Sequence, residues 1–301
     1  MTDSAPGGRP GVRGVPENAG VRGVPENATA EIGVFGGSGF YSFLDDVTRV
    51  EVDTPFGAPS APIAVGEVAG RRVAFLPRHG ARHEWVPHRI NYRANLWALY
   101  TLGVTRVVGP CAAGSLQPDV RPGDFVVCDQ LVDRTWGRAD TFYEGPVPHH
   151  VSYADPYCPE LSRLAAERAA AGGIRVHDRG TVVVVQGPRF STRAESLWYR
   201  AQGWEVINMT QYPEAYLARE LGLCYAAIAL ITDYDTGVVP GGSRVSPEDD
   251  LEQVQPVTQA EVFEFFSANV DRVRTLLFDL IAALPPKRDC TCSEAIGPLP
   301  G

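Results

Sequence analysis

Short apolar runs, each followed by a polar or glycine-rich break, recur along most of the chain. Ile32–Phe35, Val104–Val108 and Tyr225–Ile231 have the length and composition of buried strands. Thr181–Val185 is almost pure valine, which implies cover on both faces. Ile63–Val68 and Arg72–Leu76 alternate around Ala69–Gly70, the signature of a hairpin. Asp124–Val132 and Trp204–Asn208 read as further strands. Helical spacing fills the intervals. Leu96, Leu99, Tyr100 and Leu102 share one side of a helix from Asn91 to Leu102, stopped by Gly103, and Glu160–Ala171 is closed by Gly172–Gly173. Ala215–Leu221 is a short helix. Thr258–Leu284 reads as one long helix, with Val262, Phe265, Phe266, Val270, Val273 and Leu277 in register. Strand and helix alternate without a linker, so residues 31–284 are expected to form one α/β domain.

The flanks differ. Residues 1–30 are rich in glycine and proline, and the nonamer Gly11–Ala19 is repeated as Gly20–Ala28. Two such copies cannot bury a core, so this leader is expected to be disordered. Residues 285–301 are expected to be a flexible tail carrying Cys290-Thr291-Cys292, read as an exposed, inert dithiol with a redox or disulfide role as the alternative.

Composition narrows the class. The chain has 301 residues, 44% hydrophobic and 21% charged, as in an ordinary soluble globule. Its net charge of −9 argues against a nucleic-acid surface. No apolar run approaches the ~20 residues that span a bilayer, and the N-terminus lacks a signal-peptide core. The six cysteines form no disulfide framework; Cys111, Cys128, Cys158 and Cys224 are far apart in sequence, so reduced thiols in a cytoplasmic protein are expected.

Candidate chemistry collects where strands end. Gly36-Gly37-Ser38-Gly39 follows the first strand, a turn whose N–H groups and Ser38 hydroxyl can face an anion. A dinucleotide fingerprint would need a helix directly afterwards, and Phe40–Asp46 is a poor one. Pro77-Arg78-His79-Gly80 ends the hairpin and suits an oxyanion. Arg82 and Arg89 read as surface charge. His79, His83 and His88 lack the companions of a zinc site. Gly109–Ser115 is expected to be a small-residue loop, and Thr192 can cap the helix after Gln186–Ser191. Asn208-Met209-Thr210 and the acid pair of Thr232-Asp233-Tyr234-Asp235 complete the set. Anion pocket, aromatic wall and paired acids fit transfer of a planar nitrogen base from a sugar to an oxyanion.

Taken in order, Gly36–Gly39, Arg78-His79-Gly80, Ala113–Leu116, Gly187–Ser191, Asn208–Thr210 with Pro213-Glu214, and Thr232–Asp235 resemble the motifs of the trimeric purine nucleoside phosphorylases, most closely the 5′-methylthioadenosine phosphorylase branch. The resemblance covers roughly residues 31–284. It implies a central mixed, partly barrel-like sheet flanked by helices, and phosphorolysis of a 6-aminopurine nucleoside with phosphate as co-substrate and no metal or organic cofactor. It also implies site residues. Ser38, Arg78, His79, Cys111, Ala112 and Thr210 match phosphate positions, with Cys111 standing where the family often has Thr. Phe190 and Ser191 match the purine wall, Met209 the ribose floor, and Asp233 and Asp235 the acids at the purine edge. His150 matches a histidine that reaches a neighbouring subunit's 5′ pocket, hence the expectation of a homotrimer.

The residues support those roles. An oxocarbenium-like sugar needs an anion on one face and a base that accepts a proton on the other. Burial and like charge would raise one acid so that it donates to N7. A 6-oxo base would prefer an amide here, so two acids favour adenine. The alternative readings are a 6-oxopurine phosphorylase, a phosphorylase of another 5′-modified adenosine, and a non-catalytic nucleoside-binding protein. Thr236–Val245 is longer and richer in Gly and Pro than the matching family stretch, which leaves the 5′ substituent open.

Overall fold

Apolar runs too short for helices pair into one sheet, as the pattern predicts. The structure is a computed structural model describing residues 28–37, 40, 42–146, 149–242 and 254–297; the tandem leader up to residue 27 and Ser38 lie outside them. Among the described residues eleven strands form the sheet: β1 (Ile32–Gly36), β2 (Thr48–Val50), β3 (Ile63–Val68), β4 (Arg71–Pro77), β5 (Arg106–Ser115), β6 (Phe125–Val127), β7 (Gln130–Arg134), β8 (Val176–His177), β9 (Thr181–Val185), β10 (Val206–Asn208) and β11 (Cys224–Tyr234). Six α-helices accompany them: α1 (Tyr92–Thr101), α2 (Pro159–Ala171), α3 (Arg193–Ala201), α4 (Gln211–Glu220), α5 (Gln259–Ala268) and α6 (Val270–Ala283).

The main path runs β2-β3-β4-β1-β5-β10-β9-β7, and β11 branches from β5 to carry β6 and β8. β1 is parallel to β4 and β5, whereas β10 is antiparallel to β5, so the sheet is mixed. Side chains alternate across β11. Tyr225, Ala227, Ala229 and Ile231 join the core that α1 and α4 cover, while Cys224, Ala226, Ile228 and Leu230 join the one that α2 and α6 cover. A strand buried on both faces has no polar side, which is why this stretch reads as one continuous apolar run.

β5 departs from expectation. The small residues from Gly109 to Ser115 continue the strand instead of leaving it, because β11 pairs with β5 along its whole length. On its other edge β5 meets β1 only from Arg106 to Val108 and β10 only at Gly114 and Ser115. Among the described residues, the edge from Gly109 to Ala113 therefore has no strand beside it. Small size is still needed there, since a side chain at Gly109 would collide with the Tyr225 hydroxyl.

Three further expectations are corrected. Asp124–Val132 divides into β6 and β7. The long C-terminal helix breaks at Asn269 (φ −111°, ψ 4°), whose side chain donates to the Phe265 carbonyl. Across that break Phe266 of α5 stays in the core that α6 covers, while Val262 and Phe263 face a cavity. The segment 285–297, expected to be a flexible tail with an exposed dithiol, is docked on the domain. Arg288 donates to the carbonyls of Thr105 and Gly222, the Asp289 N–H to Glu160, and Cys292 is buried. Glycine and proline content says nothing about those specific bonds.

Candidate active site

Strands of parallel sense collect ligands beyond their carboxyl ends. Here a cavity of about 280 Å³ opens past the ends of β4, β9, β10 and β11 and against the unpaired edge of β5. It brings together Arg78, His79, Cys111, Ala112, Phe190, Ser191, Met209, Thr210, Asp233 and Asp235. Every described residue expected at the site lines it except His150, which lies in a separate depression with Asp140, Tyr143 and Tyr216.

One end is cationic. Arg78 is 1% exposed, and its Nε and Nη2 donate to the two Glu214 carboxylate oxygens at 2.9 and 2.7 Å. Nη1 donates to the Pro110 carbonyl at 2.9 Å, on the open edge of β5. Burial works against the charge, but Glu214 outweighs it and holds the guanidinium protonated. A guanidinium carries five N–H bonds, so these three contacts leave two for the cavity. Tyr225 donates its hydroxyl to the same Glu214 at 2.5 Å.

His79 is neutral. Burial, helped by the charges of His83 and Arg78, lowers its pKa to about 3 even though the contact to the Trp85 carbonyl opposes this. That carbonyl, 2.8 Å from Nδ1, can only accept, so Nδ1 carries the proton and Nε2 is left as an acceptor. His83 stacks on the His79 ring at 4.3 Å.

Successive residues of an extended strand turn their N–H and C=O groups to opposite edges. With the Pro110 carbonyl on the open edge, the N–H available beside it belongs to Ala112, and the Cys111 backbone faces β11. The Cys111 sulfur accepts from Asn208 Nδ2 and Gln211 Nε2 at 3.4 and 3.5 Å. Of the two expected backbone donors, Ala112 has the geometry and Cys111 does not. Thr210 stands at the N-cap of α4, yet its side chain makes no capping bond. Its hydroxyl remains available to the cavity.

The opposite end is acidic. A bulge in the pairing of β11 with β5 falls between Ile231 and Asp233 and re-aims the strand end. Burial raises the Asp233 carboxyl to about 6, with Asp235 adding like charge and the Thr232 hydroxyl, donating at 2.6 Å, holding it back. Gly114 leaves the room this needs, since a Cβ there would sit 3.1 Å from Asp233 Oδ2. Asp235 is 3% exposed and also raised by burial, against hydrogen bonds from Ser191 and Ser196. The Ser191 hydroxyl lies 2.7 and 2.6 Å from the two Asp235 oxygens. Phe190, 38% exposed, stands at the rim.

Sequence reasoning missed three contributors. Glu214 anchors Arg78; it enters the sequence reading only as part of the Pro213-Glu214 motif, with no role assigned. Arg138 donates to the carbonyls of Met209, Tyr212 and Gln186, tying the loops after β9 and β10 together. α5 supplies Gln259, Val262 and Phe263 as a wall, residues to which no motif at a strand end pointed. Among the described residues, the one group of thiols, imidazoles or carboxylates close enough to share a metal lies elsewhere, at Cys158, Cys224, Cys290 and Cys292.

A buried arginine, a neutral histidine acceptor and a protonatable carboxyl across one cavity define a base-transferring site on an α/β sheet. The model of the phosphorylase superfamily matches residues 31–282, and the chain belongs to that family. Within it, the chain is 57% identical to a purine nucleoside phosphorylase of Streptomyces coelicolor, over 89% of this chain and 95% of the other. It is 53% identical to an S-methyl-5′-thioadenosine phosphorylase of Mycolicibacterium smegmatis, over 86% and 93%. Among solved structures, the methylthioadenosine phosphorylase of Schistosoma mansoni in complex with adenine superposes with a TM-score of 0.79 at 37% identity, over 89% and 96%.

Proposed function

We propose that this chain splits 6-aminopurine nucleosides with phosphate, 5′-methylthioadenosine foremost, giving adenine and a 5-substituted ribose 1-phosphate. The observation that carries the reading is the polarity of the cavity: Arg78, His79 and Thr210 at one end, and the raised Asp233 carboxyl at the other. Phosphate is held by the two remaining Arg78 N–H bonds, the Ala112 N–H and the Thr210 hydroxyl, and its own O–H donates to His79 Nε2. Met209 floors the ribose and Phe190 covers the base. As the C1′–N9 bond breaks, its electron pair passes into the purine. Asp233 delivers a proton to N7, and a phosphate oxygen closes on the electron-poor C1′. Asp235, fixed by Ser191, accepts from the 6-amino group. We place His150 in a neighbouring subunit's 5′ pocket and so expect a homotrimer; no helix among the described residues is long and apolar enough to cross a membrane, and a cytoplasmic setting fits the free thiols.

Release of free base, adenine from methylthioadenosine and adenosine and hypoxanthine from inosine, each with and without phosphate, tests this. Phosphate-dependent release, fastest from methylthioadenosine, is expected. Release without phosphate would make the chain a hydrolase, faster turnover of inosine would reverse the base preference, and binding without release would leave a nucleoside-binding protein.

A further inference from the structure

The sequence scatters four cysteines over more than a hundred residues, and the fold gathers them. Cys158 caps the N-terminus of α2, where its sulfur accepts from the Leu161 N–H at 3.5 Å. Cys224 opens β11. Cys290 and Cys292 arrive on the docked C-terminal segment, Cys292 at the start of a short 3₁₀ turn to Ala295. The four sulfurs all lie within 4.8 Å of one another, with Cys224 and Cys290 3.3 Å apart. Cys158, Cys224 and Cys292 are buried and Cys290 is partly so.

We propose that these four thiols form a structural Zn²⁺ site, distinct from the nucleoside cavity and beyond the activity proposed above. Zinc–sulfur bonds of about 2.3 Å place the corners of a tetrahedron about 3.8 Å apart, a value between the 3.3 Å Cys224–Cys290 separation and the 4.8 Å within which all four sulfurs lie. A disulfide joins sulfurs at about 2.05 Å and pairs them two by two; four mutually close sulfurs are the arrangement of a shared ion. In a reducing compartment, cysteines brought together in this way favour metal over disulfide.

Charge supports it. Four thiols release four protons as they bind one Zn²⁺, leaving a net charge of −2 at the centre. Two guanidiniums stand against it: Arg288 Nη1 is 3.9 Å from Cys224 Sγ, and Arg219 Nη1 is 3.7 Å from Cys292 Sγ. Arg219 Nε is buried without a partner, so this side chain is held at the cluster at some cost. The α2 N-terminus adds its own positive end beside Cys158. All four positions are protein ligands, so the site is closed and structural. It clamps the C-terminal segment to the start of β11, the strand whose far end carries Asp233 and Asp235.

The full chain, purified with reductant and without chelator, should contain about one zinc per chain by elemental analysis. Cys292→Ser should reduce this to near zero, and Cys128→Ser, whose thiol lies outside the cluster, should not. Exchange with Co²⁺ should give the thiolate-to-cobalt charge-transfer absorption of a tetrahedral sulfur site. The four thiols should resist alkylation until a strong chelator is added. If Cys292→Ser fails to fold, the metal content, cobalt spectrum and alkylation of the unaltered chain decide the matter. Metal-free protein, iron in place of zinc, zinc retained in a folded Cys292→Ser chain, or a disulfide among these cysteines under reducing conditions would each overturn the site.

Discussion

Asp233→Asn should stabilise the protein while disabling it. The Asp233 carboxyl is raised from the ordinary 3.8 to about 6, mainly by burial. Because the folded value lies above the unfolded one, the folded state binds the proton more tightly. The stability this brings is present below about pH 4 and is lost as pH rises to about 6. Two pKa units at 1.36 kcal/mol each put the penalty above pH 7 at about 3 kcal/mol. Asparagine never ionises and escapes it. The amide oxygen can still accept from the Thr232 hydroxyl, so packing is preserved. Thermal melts at pH 8 should therefore show the variant several degrees above wild type, with the two converging near pH 4. Turnover of adenosine should fall by roughly 10²–10⁴, as an amide cannot supply the proton. In wild type kcat/KM should decline above about pH 6 as the acid ionises, and in the variant that limb should disappear. The adenosine-to-inosine ratio should fall, because the amide N–H₂ donates to a 6-oxo group. A variant less stable than wild type at pH 8, with the ratio unmoved, would show that Asp233 is a structural residue.

Arg78→Lys should raise the phosphate KM far more than the nucleoside KM in steady-state assays, because it keeps the charge and loses the fork. Arg78→Ala should instead cost about 3–5 kcal/mol in denaturant unfolding by leaving Glu214 buried and unpaired. Sulfate, which has no proton to give His79 Nε2 near neutral pH, should compete poorly with phosphate; His79→Ala should narrow that discrimination by roughly two- to tenfold in inhibition assays, the worth of one neutral hydrogen bond. If the chains close into the expected ring of three, light scattering should give about 98 kDa, three times the 32.6 kDa chain, and a fully active monomer would remove His150 from the site.

What the sequence made legible was periodicity and local chemistry. The apolar runs gave the strands, the polar residues directly after them gave Arg78, Thr210 and both acids, and the family resemblance added Met209; all of these line the cavity. Partners distant in sequence were not legible. Nothing local to Glu214 shows that it meets Arg78, and nothing local to Cys290 and Cys292 shows that they meet Cys158 and Cys224. The strand nature of Gly109–Ser115 was hidden for a related reason: small residues look like a loop unless their strand neighbour is known. Asn269 sits inside an unbroken helical periodicity, so the pattern carried straight across a backbone break.

The interrupted edge of β5 has a thermodynamic consequence. Between Val108 and Gly114 five residues in the middle of the sheet lack a strand partner on this edge among the described residues, pinned on either side by β1 and β10. An oxyanion seated there takes the place of a strand, receiving the Ala112 N–H that a neighbour would otherwise accept. On the function proposed above, the sheet is then finished by its substrate, and the stability of the protein should become a function of phosphate concentration. At a hundred times the dissociation constant, that linkage amounts to about 2.7 kcal/mol, and the Ala112 amide should exchange its hydrogen more slowly when phosphate is bound.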